Sequence, residues 1–146
     1  MTPPALRSGP WSAEQVDDYL SSTVIPVRLA SAGRQPLVQS LWFAYDGAAL
    51  WCATQEDSVV AKRVRRDGRV GFEVAADAPP YRGVRGTGRA TVVPERGAQV
   101  LADLITRYLG STPTPLATWL LSRSATEVAL RIDELALTSW DYSGRM

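Results

Sequence analysis

The chain has 146 residues, 45% of them hydrophobic and 21% charged, with a formal net charge of +1. That length suits one domain with a buried core, and the composition is that of a globular protein rather than a disordered one. There is no histidine, one cysteine (Cys52) and one lysine (Lys62) against fifteen arginines, which excludes Ser-His-Asp and Cys-His nucleophile pairs, histidine bases, structural zinc sites and an intrachain disulfide.

Residues 1–10 hold three prolines and a glycine and read as a loose lead-in to a single domain over 11–146. Ser12 followed by Gln15 is a capping-box pattern and predicts a helix over 13–21, with Val16 and Leu20 on one face. Val24–Ala30 is extended in character, and Pro26 suits its start. Ala32–Gln35 reads as a turn, and Pro36–Tyr45 as a strand rich in β-formers. Asp46-Gly47 between two strand-like runs predicts a tight type I′ hairpin, with Ala48–Ala53 returning. Thr54–Asp67 is polar and basic and contains a short helix. Arg69–Ala75 alternates as a strand, and Asp77-Ala78-Pro79-Pro80 breaks it.

Tyr81–Val93 is a long strand in which Gly83, Gly86 and Gly88 mark bends or close approaches. Gly86-Thr87-Gly88 lacks the third glycine of a dinucleotide fingerprint and lies inside a strand. Glu95–Leu109 is the clearest helix, with Gly110 at its stop; a short apolar helix follows around Leu116–Leu121. Glu127–Trp140 begins as an alternating strand, and Asp133-Glu134 is a surface or bulge pair. Six strands with three helical pieces predict a mainly β domain, a closed antiparallel barrel with flanking helices.

The chemistry-bearing residues fall in two stretches. Thr54, Ser58, Lys62 and Arg63 place hydroxyls and cations within ten positions, the types a phosphate site needs. Gln39, Ser40, Leu41 and Trp42 supply apolar surface beside polar groups, which suits a planar ring. Trp42, Trp51 and Trp140 also suit core or dimer packing. Arg65 and Arg66 suit a solvated helix face, and Cys52 reads as a small buried residue. No catalytic acid or base stands out, and no metal-ligand spacing is present.

The ordered set of Ile25–Ala30, Gly33–Pro36, Ser40–Gly47, Leu50–Thr54, Ala61–Val70, Arg85–Ala90 and Leu137–Asp141 resembles the pyridoxamine 5′-phosphate oxidase-like split β-barrels. The resemblance covers about residues 14–142. It implies a six-stranded split barrel and a homodimer with two cofactor sites at the subunit interface. The cofactor ring would lie against the strands flanking the Asp-Gly hairpin, and its phosphate near the polar segment after the second strand. Such proteins use FMN or the deazaflavin F420, and some members bind haem.

On that basis the expected function is hydride transfer between FMN, or alternatively F420, and a small organic substrate. A non-catalytic flavin or tetrapyrrole carrier or sensor, and a scaffold that has lost its cofactor, stand beside it. Many relatives carry a lysine, an asparagine-leucine pair and Asp-Pro on the phosphate side. Here no asparagine is present in that stretch and Gly68 replaces the proline; counting back from Asp67 puts Val60 where the lysine would fall, and anchoring on Lys62 instead requires a two-residue shortening. The near-neutral charge argues against nucleic acid. No run approaches about 18 apolar residues, and the N-terminal stretch lacks a signal-peptide core. With its lone cysteine the chain is expected to be cytoplasmic.

Overall fold

The computed structural model describes residues 2–146. Eight strands form one sheet in the order β3-β2-β6-β7-β8-β5-β4, from β2 (Val27–Ser31), β3 (Leu37–Leu41), β4 (Ala44–Tyr45), β5 (Leu50–Gln55), β6 (Arg69–Ala75), β7 (Arg82–Val93) and β8 (Glu127–Asp141). The eighth, β1 (Ala5–Ser8), lies parallel to β8. All other pairings are antiparallel. The strands at the two ends of this order, β3 and β4, are joined by Trp42 and Phe43 alone. Two residues span only about 7 Å, so the sheet must curl until its ends meet. The split barrel follows from that short link.

Two expectations change. The sequence suggests six strands, and the described residues form eight. The run Pro36–Tyr45 breaks at Trp42-Phe43, where the chain passes from one end of the sheet to the other. The lead-in also contributes a strand: Ala5–Ser8 contains no proline, so its amides are free to pair. β1 pairs with β8 at Ala136–Thr138, beyond the stretch of β8 that β5 occupies.

The hairpin is also wider than expected. Tyr45 pairs with Leu50, which leaves a four-residue loop rather than a two-residue one. Gly47 takes φ 94°, while Asp46 keeps out of the left-handed region and acts through its side chain. Its Oδ1 accepts from the Ala48 and Ala49 amides at 2.9 and 2.8 Å, and its Oδ2 from Trp51 Nε1 at 2.9 Å.

The inner face of the curl is apolar because alternate residues point there. Val27 and Leu29, Leu50 and Cys52, Val70, Phe72 and Val74, and Leu130, Ile132 and Leu137 are all buried. Helix α1 (Ala13–Ser22) plugs this core with Val16 and Leu20. Ser12 and Gln15 form the capping box at its start. Helix α2 (Val59–Arg66) adds Val60 and Val64.

Helix α3 (Gly97–Leu109) lies on the other side of β5 and β8, against Trp51, Ala53 and Ala129. Small residues allow this approach: a Cβ at Gly97 would collide with the Glu127 carbonyl. β8 is therefore covered on both faces, and Ala129 is as buried as Leu130. Helix α4 (Pro115–Ser122) packs on α3 through Ala117 and Leu120. The register of β7 on β8 shifts between Thr87 and Arg89, and Glu134 takes φ 52° at this bulge. A Cβ at Gly88 would stand 2.9 Å from the Asp133 carbonyl oxygen, so the crowded pairing favours glycine.

Candidate functional site

Two concave surfaces flank β3, one at each end. Pro36 and Ser40, which line one each, are four residues apart, about 13 Å along a strand.

The first is a pocket of about 520 Å³ between the β2–β3 turn and α2. Four arginines line it (Arg34, Arg63, Arg66 and Arg69), together with Ser31, Gly33 and Asp67. Arg63 and Arg66 are three apart on one helix, so they share a face. Arg63 Nη1 donates to the Gln35 carbonyl at 2.9 Å and to the Ser31 carbonyl at 3.4 Å. A Cβ at Gly33 would meet this guanidinium, so the end of the Arg63 side chain would have to shift to admit one. Arg69 pairs with Asp67, with Nη2 to Oδ2 at 2.7 Å. Hydrogen bonds from the Arg69 side chain and amide, with its charge, outweigh desolvation and hold the Asp67 carboxyl down at about 2.

Ser31 is 3% exposed, and its Oγ has no hydrogen-bond partner among the described residues. A buried hydroxyl without a partner is costly. The four lining arginines exceed the single Asp67 in charge, which gives the pocket the donor set of an anion site.

The second surface is a groove of about 250 Å³ between Ser40, Leu41 and Trp42 on one side and Leu101, Leu104, Leu116 and Leu120 on the other. Ala53 and Glu127 complete its lining. Trp42 is held by its stack on Tyr108, with ring centroids 4.9 Å apart at 8°. Tyr108 is fixed in turn: its hydroxyl donates to the Ile25 carbonyl at 2.8 Å and accepts from the Phe43 amide at 3.1 Å. Burial pushes the Tyr108 hydroxyl above its ordinary range, against the Phe43 backbone bond and Arg107, so it stays neutral.

The eight residues singled out from sequence are thus distributed rather than gathered. Ser40, Leu41 and Trp42 line the groove, and Arg63 lines the arginine pocket. Gln39, Thr54, Ser58 and Lys62 line neither. Gln39 and Thr54 are half-buried strand residues, opposite Leu29 and Val128. Ser58 caps α2, its hydroxyl accepting from the Ala61 amide at 3.1 Å. The Lys62 side chain is exposed and makes no hydrogen bond or ion pair among the described residues. Val60, where counting back from Asp67 puts the relatives' lysine, is fully buried. Arg34, Ser31 and Glu127 escaped the sequence reading; the i, i+3 spacing of Arg63 and Arg66 was the one local sign of the arginine pocket.

Comparison with known proteins places this geometry. The chain matches the family model described as pyridoxamine 5′-phosphate oxidase over residues 13–138. It belongs to that family. No curated protein matches it. Among solved structures it is similar to the conserved hypothetical protein Rv2991 of Mycobacterium tuberculosis. That match has 29% identity and a TM-score of 0.74, and covers 91% of this chain and 86% of that one.

An F420 reductase superposes with a TM-score of 0.68 at 23% identity, covering 82% of this chain and 94% of that one. The haem-storage protein HutZ of Vibrio cholerae does so at 0.61 and 13%, covering 85% and 89%. At these identities the last two bear on the fold alone. The pyridoxamine 5′-phosphate oxidase-like split barrel, a flavin-binding family, is therefore the fold of this chain. Among the described residues no helix is long and apolar enough to cross a membrane.

Proposed function

We propose that this chain is a flavin- or deazaflavin-dependent oxidoreductase, binding FMN or F420 and passing a hydride between that cofactor and a small organic substrate. The observation that carries this reading is the pairing of an apolar groove with an arginine pocket at opposite ends of β3. A planar ring with an anionic tail has that polarity. The cofactor supplies the hydride chemistry.

This chain's residues supply the rest. Ser40, Leu41 and Trp42 offer the ring an edge and an apolar face. Gln39 and Thr54 offer polar groups from the flanking strands. Arg34 and Arg66 would take the anionic tail, with Lys62 and Ser58 on and before α2 as further contacts. Arg63 shapes the pocket by holding the turn. Arg34 and Arg66, the two lining arginines whose side chains have no partner among the described residues, favour the more acidic tail of F420 over the single phosphate of FMN. An F420 reductase is among the proteins that share the fold.

A second reading is a non-catalytic flavin or tetrapyrrole carrier, which the same groove and pocket would serve without a catalytic acid or base of the chain's own. Turnover separates the two. An enzyme oxidises reduced cofactor in a substrate-dependent way, and a carrier binds without doing so.

The test is fluorescence titration of the purified chain with FMN and with F420. Binding of one of them in the micromolar range is expected, weakened about tenfold or more in Arg66→Ala and Lys62→Ala through loss of charge-assisted contacts. Absence of binding to both at tens of micromolar would overturn the proposal.

A further inference from the structure

A third concave surface, of about 500 Å³, lies over β7, β8 and β1 and shares no lining residue with the groove or the arginine pocket. Strand register builds it. Arg85 and Thr87 are two apart on β7, and Thr138 and Ala136 two apart on β8. Arg85 pairs with Thr138 and Thr87 with Ala136, so all four side chains stand on one face of the sheet.

β1 adds a second cation through an irregularity. Leu6 pairs with Leu137 and Ser8 with Thr138, which leaves Arg7 as an extra residue with no partner on β8. An extra residue escapes strict strand alternation, and its side chain is re-aimed. Here Arg7 lines the same pocket as Arg85 and Thr138, and Ser8 Oγ shares a hydrogen bond with Thr138 Oγ1 at 3.1 Å.

The two guanidiniums meet no counter-charge. Neither makes a hydrogen bond or ion pair among the described residues, and no acidic residue lines the pocket. Glu73 is the cross-strand neighbour of Arg85 on one side and of Arg28 on the other, yet it forms an ion pair with neither. Two forked cations beside the Thr87 and Thr138 hydroxyls offer more donors than the two oxygens and single charge of a carboxylate can use. A phosphomonoester has three terminal oxygens and nearly two charges near neutrality. The space exceeds a bare phosphate ion, and Gly86 and Ala136 add no bulk to the lining, so an organic group has room beside the phosphate.

We propose that this pocket binds a small phosphomonoester, with the phosphate held between Arg7 and Arg85 and hydrogen-bonded by Thr87 and Thr138. The match of two charges to two charges selects it over a monoanion of the same shape. The site lies apart from the surfaces assigned to the cofactor and stands whether or not the oxidoreductase reading holds.

The experiment is calorimetric titration of the full chain with phenyl phosphate and with phenyl sulfate, which has the same shape and one charge fewer. Phenyl phosphate is expected to bind about tenfold or more tightly than phenyl sulfate at pH 7.5. That preference is expected to vanish at pH 5, where the phosphate has lost its second charge and the arginines keep theirs. Arg7 and Arg85 are exposed, so Arg7→Ala and Arg85→Ala leave the core untouched. Each is expected to weaken phenyl phosphate about tenfold.

No binding of phenyl phosphate to the wild-type chain, or equal binding of phosphate and sulfate at pH 7.5, overturns the proposal. So does full phosphate affinity in Arg85→Ala. FMN carries the same group, so the arginine pocket is tested beside this one: loss of phenyl phosphate binding in Arg66→Ala with retention in Arg7→Ala and Arg85→Ala would move the phosphate there and overturn the assignment.

Discussion

Asp46 shows how much one side chain can settle. Asp-Gly is a hairpin sign in any sequence, yet the left-handed backbone it favours is used only at Gly47. The aspartate instead closes the loop with three accepted hydrogen bonds. Asp46→Ala is expected to destabilise the fold by about 1–2 kcal/mol, read from the urea midpoint, because the loop amides lose their acceptor. Desolvation works against its charge, but the bonds from Trp51, Ala49 and Ala48 win and lower its pKa. A carboxyl lowered in the folded state contributes stability that is complete above its unfolded pKa and is lost as the pH falls through the folded value. Wild type should therefore lose stability on the acid side more steeply than Asp46→Asn, measured as urea midpoints between neutrality and pH 3. Parallel profiles would remove this role.

Among elements, the Trp42–Tyr108 stack joins the ends of the sheet to α3. Tyr108→Phe keeps the ring and removes the hydroxyl that serves Ile25 and Phe43. About 1–3 kcal/mol of destabilisation is expected by denaturant titration, since the Phe43 amide is left without a partner. Tyr108→Ala also strips Trp42 of its stacked neighbour, and the near-ultraviolet circular dichroism should change.

The elements themselves were largely legible because their signs are local. Ser12 and Gln15 box one helix start, and Gly110 ends α3 at φ 80°. Alternation in 69–75 gave β6 with its bounds. The site was less legible because its parts meet across distance. Arg63 finds Gln35 and Ser31 some thirty residues away. Glu127 comes to line the same groove as Trp42 only after the sheet has curled, and nothing local distinguishes it from a surface glutamate. The break at Trp42-Phe43 was hidden for a related reason: both residues are good strand formers, and only topology requires the chain to turn there.

At the scale of the molecule, family membership agrees with the curled sheet, and the homodimer implied by the resemblance remains a proposal. Sedimentation equilibrium should return twice the 15.9 kDa chain mass. A monomer at micromolar concentration would remove the expected subunit-interface location of the cofactor. Exposed Leu116, Trp119 and Leu121 on α4 add apolar surface beside the groove.

The placing of β8 has a consequence for how the chain reaches this state. It is the strand shared by β1, β5 and β7, and it follows all of them in sequence. Until Glu127–Asp141 is available, β5 and β7 each present an open edge to any passing strand. Assembly therefore waits on a strand that follows all its partners in sequence, with pairings such as Leu6 to Leu137 bridging 131 positions. Such non-local closure is slow. A chain halted before Glu127 would expose the very edges that the finished barrel hides, and would aggregate rather than linger as a partly folded barrel.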